Sequence, residues 1–254
     1  DLLHTDLSGA KLIGANLTGA NLTGANLMGA DVSHTDLTDV NLTDVNLTDV
    51  RLSDVNLSGM NLSGVKMNNA DLVNASLTGA NLTNASLTGA DLTDVDLSGA
   101  ELTDLDASGA NLTGAHLSDR DLRSVKLTAA TLSDSALRSV SLTGMDLSGA
   151  NLTGVDLTGA NLTGANLTGA DVSHTDLTDV DLTDVSFTDV DLREVNFTNV
   201  DMTDVNLAGA DLSYTDLRGT KVKGANLAGA DLTGANLIGM DSVSYTHLTL
   251  PTTD

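Results

Sequence analysis

Ala15-Asn16-Leu17-Thr18-Gly19 is followed at once by Ala20-Asn21-Leu22-Thr23-Gly24, the same five-residue phrase. From Leu2 to Leu237 an apolar residue stands at every fifth position, without insertion or deletion. That makes 48 centres, of which 40 are Leu and the rest are Val32, Met67, Ala107, Val172, Phe187, Phe197, Met202 and Val222. A period of five matches neither the 3.6 of a helix nor the 2 of a flat strand, so the chain must turn at the same point in every unit.

The residue types then sort by position. The centres, among them Leu17, Leu22, Leu162, Leu167, Phe187 and Phe197, are expected to form one inward-facing core. Two residues before each centre stands a small or β-branched residue, usually Ala or Val, which reads as a second inward position. Arg120 is the one charged residue found there. The residue before the centre is Asp in 19 units and Asn in 16, and the one after it is Thr or Ser in 35. These are expected to face water.

All 24 glycines fall two residues after a centre, as at Gly19, Gly24, Gly164 and Gly169, and twelve further units have Asp there and four have Asn. Those residue types tolerate a left-handed backbone. With Leu first, Thr second and Gly third, each unit supplies a type II turn, which needs positive φ at its third residue. Four such corners close a square coil of 20 residues. Gly is mostly followed by Ala and Asp by Val, which hints at two corner geometries.

The tandem units of residues 15–29, with the Asp-Leu-Thr-Gly variants elsewhere, resemble pentapeptide-repeat proteins, and the resemblance extends over residues 1–241. It implies an all-β fold, a right-handed quadrilateral parallel β-helix. A function does not follow from the scaffold. Some members of that family resemble DNA in their acidity and protect type II topoisomerases such as gyrase from quinolone drugs.

With coils about 4.8 Å apart, about 12 coils of 20 residues make a rod roughly 58 Å long. Residues 1–241 are expected to be one repeat domain, since a solenoid has no globular core to divide. A longer repeat lies above the short one. Asp-Val-Ser-His-Thr-Asp-Leu-Thr-Asp-Val occurs at 31–40 and again at 171–180, an offset of seven whole coils that implies an internal duplication. Residues 115–140 are the least regular, and a local distortion is expected there, with Arg120 bending outward to reach water. Neither end carries a polar cap, so end-to-end self-association is expected. Residues 242–254 break the period and hold Pro251; they read as translated sequencing adapter and the chain as a fragment.

Charge is the other strong signal. The chain carries 35 acidic against 11 basic residues, a formal net charge of −24. Over the repeats that is one net charge per about 2.5 Å, against one per about 1.7 Å in duplex DNA. The densest belt holds Asp171, Asp176, Asp179, Asp181, Asp184, Asp189, Asp191, Glu194, Asp201 and Asp204. Such a surface repels nucleic acid and anionic membranes and attracts a basic protein surface, such as that of a DNA-binding enzyme. Two readings stand: acidity as a by-product of the repeat on a rigid structural or interaction surface, or a DNA mimic that binds gyrase and inhibits or protects it.

Catalytic chemistry has little to use. There is no Cys, and every Gly is placed at a corner, which leaves no phosphate-binding glycine loop. His34 and His174 are seven coils apart, His4 lies on another side, His116 points outward and His247 is in the tail, so no metal site is expected. Asp184 above Asp204 could bridge a divalent ion, but repulsion relieved by water and salt is the expected state. Thr163, Thr183 and Thr203 make a hydroxyl ladder whose Asp and Asn neighbours make it too charged for an ice-binding face. The chain is expected to be non-enzymatic, without cofactor, and cytoplasmic.

Overall fold

The computed structural model describes residues 1–118, 121–177 and 180–240. Arg120, Asp179 and the tail 242–254 lie outside the described residues. The chain forms two compact units, Asp1–Thr131 and Leu132–Asp254, and each winds by the same rule.

In the first unit parallel bridges pair Asp6 with Asn26, Asn26 with Asn46 and Asn46 with Lys66. In the second they pair Asn151 with Asp171, Asp171 with Asp191, Asp191 with Asp211 and Asp211 with Asp231. Each bridge spans four pentapeptides, so each coil has four sides and four corners. Among the described residues there is no helix long and apolar enough to cross a membrane.

One unit accounts for all five of its N–H groups. Asn161 donates back to the Val140 carbonyl at 3.0 Å, while Leu162 and Gly164 donate forward to Asp181 and Thr183 at 3.0 and 2.8 Å. Ala165 closes the turn onto the Leu162 carbonyl at 2.8 Å. Thr163 N–H points out of the ladder and is taken by the Asn161 Oδ1 at 2.9 Å. A buried or half-buried N–H must find an acceptor, and an Asx side chain two residues upstream is the local one. The residue before each centre therefore does more than face water: its carboxylate or amide clips the outward N–H of its own side. The hydroxyl that follows often joins the clip, as Thr168 Oγ1 does on Asn166 Oδ1 at 2.6 Å.

The corners carry the left-handed backbone. All 24 glycines have φ between +63° and +73°, and Asp, Asn and other residues at the same position have φ between +51° and +66°. The turn bond does not divide by corner residue. The turn bond is 2.9 Å at Ala75 and Ala85, which follow Asn, and 3.2 Å at Val65, which follows Gly.

Inside, Leu22, Leu162, Leu167, Phe187 and Phe197 are all at most 1% exposed. Leu17 differs from expectation: it is half-buried, because its coil is covered by a neighbour on one side only. Thr35 and Thr175 are buried at the second inward position, each donating 2.9 Å to the carbonyl 23 residues earlier, Leu12 and Leu152. The duplicated decapeptides thus keep equivalent contacts in both units. The expected distortion near residue 120 is visible at Ser124, whose Oγ accepts the Asp104 N–H at 3.0 Å in place of the usual carbonyl.

Candidate acidic interaction surface

Nine of the ten belt acids lie among the described residues, and all nine are exposed. Their register divides them around the coil. Asp181 and Asp201 stand before the centres of one side, with Asp184 and Asp204 at its corner. Asp189 is at the next corner. Asp171 and Asp191 share the side after that, with Glu194 at its corner, and Asp176 is on the fourth side. The nine described belt acids form a ring around the second unit, whereas the longest single column lies partly outside it: Asp171, Asp191, Asp211 and Asp231, bridged rung to rung. Asp211 and Asp231 were legible only by counting in twenties from Asp171 and Asp191.

Neighbouring side chains and N–H groups lower three members of this column, Asp171, Asp191 and Asp231. Ser173 Oγ donates to Asp171 Oδ1 at 2.7 Å, and its N–H at 3.0 Å. Those bonds hold the Asp171 carboxyl below the ordinary carboxylate value, against the opposing charge of Asp191. Asp181 is lowered chiefly by the Thr183 N–H and Asp201 by the Thr203 hydroxyl. Asp191 is lowered chiefly by Arg193, whose Nη2 lies 2.5 Å from Asp191 Oδ2 and whose Nε lies 3.5 Å from Asp211 Oδ2. Arg193 and Lys221, which sits 3.0 Å from Asp201 Oδ2, partly neutralise the ring. Exposed pairs of this kind are worth little in stability, but they tune the local charge.

The corner acids are different in kind. Asp184, Asp189, Asp204 and Glu194 occupy the left-handed position with φ of +57°, +57°, +58° and +66°, and the Asp189 and Asp204 carboxylates lie over the Gly209 and Gly224 corners of the next coil. The corner glycines Gly164 and Gly169 stand at the same register with φ of +68° and +65°. His34 and His174 are exposed corner residues too, and His34 Nδ1 lies 3.8 Å from Asp54 Oδ2. No group of three or more His, Asp or Glu side chains is placed to hold a metal ion among the described residues.

A four-cornered parallel coil with a twenty-residue register defines the class: a quadrilateral β-helix built of pentapeptides. Pentapeptide-repeat sequence profiles match residues 5–44, 41–79, 80–119, 108–144, 146–184, 186–224 and 210–241. The chain belongs to the pentapeptide-repeat family, and its coils are right-handed as that fold requires. Among solved structures it is similar to a trypsin-treated form of QnrB1, a plasmid-mediated fluoroquinolone resistance protein. Identity there is 17% over 87% of this chain and 89% of that one, with a TM-score of 0.51. It is also similar to HetL, a pentapeptide repeat protein involved in heterocyst differentiation regulation in the cyanobacterium Nostoc, with 30% identity over 92% and 93% and a TM-score of 0.25. No curated protein sequence gives a significant match.

Proposed function

We propose that the protein is a non-catalytic scaffold whose second unit presents an acidic surface to a basic protein partner. The observation that carries this reading is the column Asp171, Asp191, Asp211 and Asp231. Four carboxylates repeat at one coil spacing, and hydrogen bonds from the side chains and then the N–H groups of Ser173, Arg193 and Thr233 lower the Asp171, Asp191 and Asp231 carboxyls below the ordinary value. A fixed row of like charge attracts a cationic groove and speeds encounter without needing a pocket. A single turnover abolished by one side-chain substitution would sink the non-catalytic reading.

The second reading is the DNA mimic, favoured by the same column: a basic groove that binds a polyanion would accept it. The two separate in a supercoiling assay with purified gyrase. Dose-dependent inhibition or quinolone protection, weakened by added salt, supports the mimic; no effect at any dose leaves the partner to be another basic protein.

A further inference from the structure

The left-handed corners are held mostly by Gly, Asp and Asn, yet along one edge of the second unit three successive corners carry His174, Glu194 and Tyr214, with φ of +57°, +66° and +62°. Positive φ is unusual for a residue as bulky as Tyr, and such outliers cluster at functional sites. The equivalent corners of the first unit, 140 residues earlier, are His34, Asp54 and Asn74, followed by Asp94. Where the first unit has Asn74 and Asp94, the second has Tyr214 and Gly234.

Tyr214 and Gly234 fit each other. Tyr214 Cδ1 and Cε1 lie 2.7 and 2.8 Å from the point that a Cβ would occupy at Gly234, so the bare corner of the next coil makes room for the ring. One ring edge is seated there while the residue stays 75% exposed, the one exposed aromatic among the described residues. A ring held on a rigid corner and open to water meets a partner at little ordering cost, and Tyr is among the residues that dominate interfaces. Thr233 ties this ring to the acidic column. Its carbonyl accepts the Tyr214 N–H at 2.9 Å, and its own N–H and hydroxyl donate to Asp231 Oδ1 at 2.9 and 2.6 Å. Ring and carboxylate are thus fixed to one residue, and Asp231 keeps Oδ2 for a partner.

We propose that Tyr214 and Asp231 form a docking point for an arginine side chain of a basic polypeptide. A guanidinium lies flat on an aromatic ring and at the same time forks its N–H groups to a carboxylate, whereas an ammonium is a compact point charge. The proposal rests on the acidic-surface reading and adds to it the residue type recognised. The column draws a cationic segment in by charge, and the ring selects among cations.

The blocked pentapeptide Gly-Arg-Gly-Arg-Gly and its Lys counterpart, titrated by NMR into the full chain carrying ring-labelled tyrosine, test this, with Tyr214→Gly assigning the Tyr214 signal. The Arg peptide is expected to shift that signal and to bind about threefold more tightly than the Lys peptide. Tyr214→Gly is expected to bring the Arg peptide down to the Lys affinity without lowering the melting temperature, since glycine is at ease at a left-handed corner. Asp231→Asn is expected to weaken both peptides with its clip kept, as Asn161 clips the Thr163 N–H at 2.9 Å. Equal affinity for the two peptides, or wild-type affinity in Tyr214→Gly, overturns the proposal; if Asp231→Asn still weakens both, the acidic-surface reading stands without it. Failure of the unaltered chain to bind either peptide would overturn both.

Discussion

Replacing Leu162 by Ala removes three buried carbons from the middle of the second unit. Leu162 is 1% exposed, and its column neighbours one coil away, Leu142 and Leu182, are 1% and 0% exposed. The side chain is stacked between two others like it, and the flanking coils are held by the Leu142 and Leu162 N–H bonds at 2.8 and 3.0 Å, so the site cannot collapse freely. The lost transfer energy plus the residual cavity gives about 3 to 5 kcal/mol. With a urea slope of about 3 kcal/mol per molar, the transition should move down by about 1 to 1.7 M. Because a solenoid couples each coil to its neighbours only, faster hydrogen exchange should concentrate on the coils carrying Leu142, Leu162 and Leu182. Leu17→Ala, at a half-buried centre, should cost about half as much. Equal costs at the two sites, or a Leu162→Ala cost below about 1 kcal/mol, would refute the column packing on which the estimate rests.

Three further outcomes follow. The clipped aspartates have folded pKa values below their unfolded ones, so their stabilisation is complete above the unfolded value and is lost as pH falls through the folded one. Arg123 beside Asp121 sets the low edge, pushing that carboxyl down to about 2; thermal stability should therefore decline with acid below about pH 4, and less steeply once Asp171 and Asp181 are both changed to Asn. Around Ala107, the one Ala among the centres, lies a wholly apolar void bordered by Leu87, Leu105 and Leu127. Leu105→Val with Ala107→Leu restores the usual small-then-large order and should raise the unfolding free energy by about 1 kcal/mol, read by urea titration. Gly224→Ala should destabilise, since φ is +73° and a Cβ would meet the Asp204 carboxylate; a cost of about 1 to 2 kcal/mol is expected in thermal melts, and no loss would contradict the left-handed corner.

The winding was legible because five-residue spacing and the confinement of glycine to one register leave few alternatives. Leu22 and Phe187 could be placed inside from the pattern alone. The clip was not read, although its signal was present: Asn161 and Thr163 are two apart, the spacing at which an Asx side chain reaches an N–H. Treating both as solvent-facing missed that the outward amide needs an acceptor. The grouping of acids was also beyond a linear reading, since Asp171 and Asp231 share a column across 60 residues while Asp176 and Asp181 turn to different sides.

The central claim is that residues 20 apart lie side by side on one face. The chain has no Cys, so introduced pairs report without background. Thr163→Cys with Thr183→Cys, on coils joined by the Leu162 and Gly164 N–H bonds, should place Cα atoms about 5 Å apart and close a disulfide under mild oxidation. Thr163→Cys with Ser173→Cys, half a coil apart on opposite sides, should not. A disulfide in the second pair, or none in the first, would contradict the twenty-residue coil.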